Sequence, residues 1–260
     1  MTDIPASNIN FYKEQYWAAA NFIENYIGLS GQSNLRILEV GSAEGGGLKY
    51  FADKGHSCYG LEYSPGRSEI AETLNQSGGI RFINGDITDL ESYLDRLDAK
   101  MDLVLCCDVI EHIPSDKKEL ALRNMKYLLK DNGLLFISFP PKYSLFAGHQ
   151  QVIPDWTRWL PYLFLLPDKL YSAFLGWRGV RSAIVAEMLA TKHSRLSINQ
   201  FEKMVYESDF RILKKDFYLI RPRFEYRYGI RRLRLRCDVK IIREILNLGA
   251  VYLLRPCEKS

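Results

Sequence analysis

The sequence lacks the features of membrane-spanning and secreted proteins. No uncharged apolar run approaches the length needed to cross a bilayer, and the first residues, which include Asp3 and Pro5, lack the apolar segment of a signal peptide. The five cysteines form no C-x-x-C pair, and Cys106 and Cys107 are adjacent in an apolar run. This pattern indicates reduced thiols and no metal site. We therefore expect a cytoplasmic protein that is at most peripheral to the inner face of the membrane.

The sequence also lacks a strong charge of either sign, internal repeats and low-complexity tracts. The net charge of +4 over 260 residues is too small to indicate a nucleic-acid partner. Hydrophobic residues make up 47% and charged residues 25%, which is typical of a soluble globular protein. This length suits one large α/β domain with an insertion. Nothing in the composition indicates an oligomeric state.

Short apolar runs alternate with amphipathic segments over the first half of the chain. The predicted strands cover residues 35–40, 57–62, 80–84, 101–107, 134–139, 210–220 and 249–254. The run 101–107 is apolar at nearly every position, which is typical of a parallel strand buried on both faces. The alternation predicts an α/β fold in which helices cover both faces of a mostly parallel sheet.

The pattern divides the chain into four segments. We expect an N-terminal helical cap over residues 1–34, a ligand-binding core over 35–141, an aromatic-rich helical insertion over 142–196, and the rest of the sheet with a basic stretch over 197–260. The N-terminal helix either packs on the core or covers a ligand. The insertion is too long for an ordinary connection, and it forms either an acceptor pocket or a small helical core of its own.

Four features follow the ends of successive predicted strands. They are the glycine-rich turn 41–47, Glu62, Asp86 and Asp108. Open α/β sheets bind ligands beyond the carboxyl ends of their strands. An ionised carboxylate can accept hydrogen bonds from both hydroxyls of a ribose, and the next acid can accept one from an adenine amino group. The order of these features predicts a ligand that contains a nucleoside.

Two such ligands remain open, a dinucleotide and S-adenosylmethionine. A dinucleotide site has the pattern G-x-G-x-x-G with a pyrophosphate at the start of the helix. Here Glu39 precedes the turn and Glu44 lies within it. Two acids would repel a pyrophosphate and suit a ligand that carries an amino group and a sulfonium. The two acids therefore disfavour a dinucleotide-binding dehydrogenase, which is the alternative function.

The same residues resemble the class I S-adenosylmethionine-dependent methyltransferases, in particular the small-molecule methyltransferase group. The matching stretches are 37–41 (ILEVG) with Gly45, 60–62 (GLE), 84–87 (NGDI), 108–114 (DVIEHIP) and 132–135 (NGLL). The resemblance covers about residues 35–141, and it implies a Rossmann-like sheet of seven strands whose last strand is antiparallel. It also implies S-adenosylmethionine as the cofactor. The chain departs from the family at Ala43, where a second glycine is usual.

The resemblance implies a set of cofactor-binding residues. They are Glu39, Gly41, Ser42, Ala43, Gly45, Glu62, Tyr63, Asp86, Ile87 and Asp108. By this resemblance Gly41 and the nearby backbone hold the methionine part, and Glu62 holds the ribose. Asp86 and Ile87 then hold the adenine, and Asp108 lies near the amino-acid end.

Histidines are the candidates for a general base, which helps methyl transfer to a hydroxyl. His149 lies just past the fifth predicted strand, on a loop expected to face the acceptor, and is our leading candidate. Tyr143 on the same loop is expected to orient the acceptor. His112 follows Asp108 and is either a second candidate base or a residue that packs near the cofactor. His193 in the insertion is a weaker candidate.

The stretch 221–236 holds seven arginines and one acid, Glu225. It forms a solvated face, or it binds an anionic acceptor such as a phosphorylated or lipid-linked sugar, or it contacts an anionic membrane surface. Three functions therefore stay open. The first is O-methylation of a small-molecule or sugar-type acceptor with a histidine base. The others are membrane-peripheral methylation of a quinone-like or lipid-linked acceptor, and non-catalytic binding of S-adenosylmethionine.

Overall fold

A single β-sheet organises the computed structural model, which describes residues 4–76, 78–146, 153, 155–236 and 239–257. Over these residues the sheet has eight strands. Their bounds are β1 Arg36–Val40, β2 Ser57–Glu62, β3 Ile80–Asn84, β4 Met101–Cys107, β5 Leu129–Phe139, β6 Phe210–Ile220, β7 Leu233–Arg234 and β8 Gly249–Pro256.

The strand order across the sheet is β3-β2-β1-β4-β5-β8-β6-β7. Strands β1 to β5 are parallel to one another, and β8 runs antiparallel to both β5 and β6. The predicted mostly parallel sheet with an antiparallel last strand is confirmed. We expected seven strands, whereas the described residues form eight. The additional strand is β7, which has two residues and lies in the arginine-rich stretch. Two residues are too few to produce a detectable period.

Helices cover both faces of the sheet. Their bounds are α1 Ala6–Ala18, α2 Glu24–Ile27, α3 Gly46–Asp53, α4 Pro65–Leu74, α5 Lys118–Leu128, α6 Asp168–Trp177, α7 Ser182–Ser194, α8 Ile198–Glu207, α9 Arg223–Tyr228 and α10 Lys240–Ile245. One π-helical stretch, Ala19–Ile23, joins α1 to α2.

Alternating side chains of the central strand β1 separate the two layers of the core. Leu38 and Val40 join one buried cluster with side chains of α5 and α8. Ile37 joins a second cluster with side chains of the π-helical stretch and of α3. Because successive residues of a strand point to opposite faces, Glu39 points to the same side as Ile37. It therefore lies on the face that α3 covers.

The insertion after β5 has a hydrophobic cluster of its own. Its described part contains 3₁₀ turns at Trp156–Trp159 and Leu163–Leu165, followed by α6 and α7. The buried cluster consists of Ile153, Leu163, Phe164, Tyr171, Leu175, Val180 and Met188. The insertion thus buries apolar side chains among themselves beside the sheet.

The strand register places the carboxyl ends of four strands at one level. Val40 pairs with Leu61 of β2 and with Cys106 of β4, and Glu62 pairs with Asn84 of β3. The segments that follow β3, β2, β1 and β4 therefore leave the sheet side by side. A ligand bound at this edge can contact all four.

Helix α1 crosses α3 at very short range. A Cβ atom built on Gly46, the first residue of α3, would lie 2.0 Å from the carbonyl oxygen of Tyr12 and 3.1 Å from Cβ of Gln15. The Gln15 side chain fixes the crossing, because Nε2 donates to Ser42 O at 3.0 Å and Oε1 accepts from Gly46 N at 3.2 Å. This contact holds α1 against the glycine turn.

We expect Gly46→Ala to lower the free energy of unfolding by about 1–3 kcal/mol, because the added methyl group must displace the backbone of α1. Gly66→Ala is the matched control, since Gly66 lies in the first turn of α4 and a Cβ there meets nothing within 4 Å. Urea unfolding of both variants measures the difference. Equal midpoints would contradict the close crossing.

Candidate active site

A cavity of about 540 Å³ opens at the carboxyl edge of the sheet. This volume lies within the range of small-molecule sites. Predicted site residues that line it are Gly41, Ala43, Glu62, Tyr63, Asp86, Ile87, Asp108 and His112. The predicted features that follow β1, β2, β3 and β4 thus meet around one space.

The carboxylate of Glu62 ties the glycine turn to the end of β2. One oxygen accepts from Ala43 N at 2.9 Å, and the other accepts from Ser64 N at 2.9 Å. Ala43 has φ of +48°, a left-handed conformation that costs a non-glycine residue about 1–2 kcal/mol. The bond from Ala43 N helps to hold this turn. Because a carboxylate has about four acceptor sites, Glu62 keeps capacity for ligand hydroxyls.

Asn84 and Asp86 shape the end of β3. Asn84 Nδ2 donates to the carbonyl oxygens of Glu62 at 2.9 Å and Tyr63 at 3.2 Å. Asp86 Oδ1 accepts from Thr88 N at 2.8 Å, which closes a local turn. These bonds fix the two acid-bearing segments relative to each other.

Asp108 lies at the end of β4 in a left-handed conformation with φ of +59°. Arg221 binds both of its carboxylate oxygens, and Arg223 Nη1 lies 3.5 Å from Oδ2. Burial alone would raise the pKa of Asp108, but the two guanidinium groups hold the pKa below its ordinary value. Asp108 is therefore an ionised group in the cavity.

Helix α1 supplies Phe11 and Gln15 to the cavity surface. The Phe11 ring lies near two cations, with its centroid 5.9 Å from the Arg67 guanidinium and 5.8 Å from that of Arg223. The N-terminal helix thus both packs on the core and covers the cavity. These two residues were not predicted from the sequence, because their place in the cavity depends on how α1 packs against the glycine turn.

Five of the seven arginines in 221–236 pair with acids of this chain. Arg221 and Arg223 pair with Asp108, and the others form the pairs Arg223–Glu14, Arg227–Glu14, Arg232–Glu225 and Arg234–Asp216. Arg223 also lines the cavity. Sequence analysis did not find this residue, because the run of arginines does not tell which member faces inward.

Four residues of β1 and the glycine turn, two acids and two small residues, lie outside the lining of the cavity. They are Glu39, Ser42, Glu44 and Gly45, none of which is among the described residues that line the cavity. Glu44 Oε1 accepts from Asn8 at 2.8 Å. A Cβ on Gly47 would lie 3.1 Å from Glu39 Oε2, so this carboxylate faces α3, and burial raises its pKa to about 8. Glu39 and Glu44 are thus outside the described lining of the cavity, and their effect on the choice of ligand stays a prediction.

The segment after Asp108 also lines the cavity, with His112, Ile113, Pro114 and Lys117. Lys118 stabilises the backbone of this segment. Its buried Nζ donates to Ile113 O at 2.6 Å and also to Ile110 O. Partial burial and nearby Arg195 lower the pKa of His112 below 6.5, which keeps the imidazole neutral at pH 7.

The other predicted catalytic residues are His149, Tyr143 and His193. His149 lies outside the described residues. Tyr143 is 41% exposed, and it is not among the described residues that line the cavity. His193 lies at the end of α7, where Nε2 is 2.8 Å from Asp168 Oδ2. The catalytic roles of His149 and Tyr143 therefore stay predictions.

No group of three or more His, Cys, Asp or Glu side chains in the described part of the chain is placed to hold a metal ion. Among the helices described, none is both long enough and apolar enough to cross a membrane.

Residues 38–137 match the family model of a methyltransferase domain. Two curated relatives are ubiquinone biosynthesis O-methyltransferases. The protein of Azoarcus sp. (strain BH72) is 26% identical over 136 residues, which are 52% of this chain and 55% of the relative. That of Idiomarina loihiensis (strain ATCC BAA-735 / DSM 15497 / L2-TR) is 30% identical over 120 residues, 45% of this chain and 46% of the relative. The chain thus spans about half the length of these relatives.

The fold extends beyond the matched segment. Magnesium protoporphyrin IX methyltransferase from Synechocystis PCC 6803, solved with bound S-adenosylhomocysteine, superposes with a TM-score of 0.56 at 14% identity, over 99% of this chain and 90% of that one. A second structure of the same enzyme holds S-adenosylmethionine, the cofactor that the resemblance implied. Residues 38–137 thus match a methyltransferase domain, and the chain shares the fold of these methyltransferase structures.

Proposed function

We propose that this protein transfers a methyl group from S-adenosylmethionine to an oxygen of a small-molecule or sugar-type acceptor. The observation that carries the proposal is the order of polar groups around the cavity. Asp86, Glu62, the glycine turn and Asp108 follow neighbouring strands in the sequence β3-β2-β1-β4. This order matches a ligand with adenine, ribose and amino-acid parts in line.

The cavity residues have separate tasks in this proposal. Asp86 and Ile87 hold the adenine, Glu62 accepts from the ribose, and Asp108 attracts the ammonium group. The bound cofactor supplies an electrophilic methyl group. Phe11 of α1 covers the site and excludes water, which favours a near-attack arrangement of the acceptor.

His112 is the described histidine best placed to act as the base. It lines the cavity, 46% of its side-chain surface is accessible, and Nε2 lies 3.9 Å from the buried Glu111 carboxylate. A neutral imidazole can take the proton of an acceptor hydroxyl as the oxygen is methylated. His149 remains the competing candidate.

A second candidate function is the methylation of a quinone-like or lipid-linked acceptor at a membrane surface. The insertion exposes three tryptophans, Trp156 at 71%, Trp159 at 62% and Trp177 at 74%. The ion pair of Arg178 with Asp155 brings the end of α6 beside the Trp156–Trp159 turn. Exposed tryptophans beside arginines favour a membrane interface, and the names of the two curated relatives are compatible with a quinone.

Substitution of Glu62 tests the cofactor site. We expect Glu62→Ala to weaken the binding of S-adenosylhomocysteine by about 1–3 kcal/mol, because ligand hydroxyls lose a charged acceptor. Glu72→Ala is the control, since Glu72 is exposed on α4. Calorimetric titration measures both affinities. An unchanged affinity in Glu62→Ala would remove this residue from the ribose site.

Substitution of His112 tests the base. We expect His112→Ala to lower turnover about 10²–10⁴-fold while its affinity for S-adenosylhomocysteine stays unchanged. Because the pKa of His112 is lowered, wild-type turnover should fall only as the pH drops below 6.5 and the imidazole becomes protonated. Labelled methyl transfer to a panel of phenols and catechols measures both effects. Full activity in His112→Ala, with loss in His149→Ala, would assign the base to His149.

Binding to vesicles tests the second candidate function. We expect wild-type protein to co-sediment with vesicles that contain phosphatidylglycerol and to be released by high salt. Replacing Trp156 and Trp177 by serine should lower the bound fraction several-fold, because both side chains would insert at the interface. Tyr206→Ser is the control, because Tyr206 is 65% exposed on α8. A wild-type protein that stays in the supernatant would contradict the membrane function.

A further inference from the structure

Arg223 lines the cavity, and its guanidinium has N–H donors that can bind a ligand. It is the first residue of α9, and its side chain is 13% exposed. The guanidinium approaches Asp108 Oδ2 at 3.5 Å and Glu14 Oε1 at 3.9 Å, distances that are too long for well-formed charged hydrogen bonds. Among the described residues it has no side-chain hydrogen bond. A guanidinium has five N–H donors, so its donors are available to a ligand.

Other arginines already hold the two acids beside Arg223. Arg221 binds both oxygens of Asp108, and Arg227 Nε lies 2.6 Å from Glu14 Oε2. The three arginines and two acids leave one positive charge in excess. Nearby negative charge, with Asp108 as the largest contributor, outweighs burial and raises the pKa of Arg223 above its ordinary value, so this excess charge is permanent. An anion is the complementary ligand.

The place of Arg223 along the cavity selects which part of the ligand it meets. Its contact with Asp108 puts it at the end of the cavity formed after β4, and Gly41 lines the same cavity from the end of β1. Glu62 and Asp86 lie toward β2 and β3, at the opposite end of the order. Arg67 follows β2 at the start of α4. Arg223 is therefore the cavity arginine farthest in strand order from the adenine end.

We propose that Arg223 binds the carboxylate of the methionine part of the cofactor, so that a residue outside the family-matched segment completes the cofactor site. This inference rests on the proposed use of S-adenosylmethionine. The planar guanidinium can donate two parallel hydrogen bonds to a carboxylate. Asp108 beside it attracts the ammonium group of the same amino acid. The two charged groups thus recognise a zwitterion, and α9 carries a binding residue.

A pair of ligands isolates this contact. S-adenosylhomocysteine carries the amino-acid carboxylate, whereas 5′-methylthioadenosine retains adenine, ribose and sulfur and lacks the amino-acid part. We expect Arg223→Met to bind S-adenosylhomocysteine about 10- to 100-fold more weakly than wild type, the effect of losing a charged hydrogen-bond pair. Its affinity for 5′-methylthioadenosine should not change. Calorimetric titration of the full chain gives all four constants.

Arg231→Met is the matched control, because Arg231 is an exposed arginine of the same stretch and is not among the described residues that line the cavity. It should bind both ligands as wild type does. Arg223→Lys keeps the charge without the planar fork, so we expect a smaller selective loss; this variant provides the test if Arg223→Met does not fold.

The outcomes separate this inference from the proposed function. If Arg223→Met binds both ligands as wild type does, or loses both equally, Arg223 does not recognise the carboxylate and the inference is overturned. If wild-type protein itself fails to bind S-adenosylhomocysteine, the proposed function is overturned along with it. Selective loss of S-adenosylhomocysteine alone supports the inference.

Discussion

The two hydrogen bonds to the Glu62 carboxylate set the geometry on which the cavity depends. They join the backbone of the glycine turn at Ala43 to the start of α4 at Ser64, and Asn84 ties the same segment to β3. Because the carboxyl ends of these strands are level, three short polar contacts are enough to form one continuous surface. These contacts also help to hold Ala43 in its left-handed conformation.

The cover of the cavity comes from the two ends of the chain. Helix α1 contributes Phe11, α9 contributes Arg223, and Glu14 joins the two helices through its ion pairs. Both helices lie outside residues 38–137, which the family model matches. The matched segment thus supplies the parallel strands and their polar ends, while segments beyond it close the site and determine which charges the cavity presents.

Sequence patterns predicted the sheet and the positions of Glu62, Asp86 and Asp108, because a buried strand and the residue after it are local features. The orientation of Glu39 was also accessible, since alternation along β1 places it beside Ile37, facing α3. Arg223 and Phe11 were not predictable in the same way. Their positions depend on how α9 and α1 pack against Asp108 and the glycine turn, which are contacts between residues far apart in the sequence.

The central claim is that the cavity binds S-adenosylmethionine through groups arranged along the sheet edge. Calorimetric titration of the full chain with S-adenosylhomocysteine and, separately, with NAD tests it most directly. We expect saturable binding of S-adenosylhomocysteine and no binding of NAD. Binding of NAD without binding of S-adenosylhomocysteine would contradict it and would restore the dehydrogenase interpretation of the glycine turn.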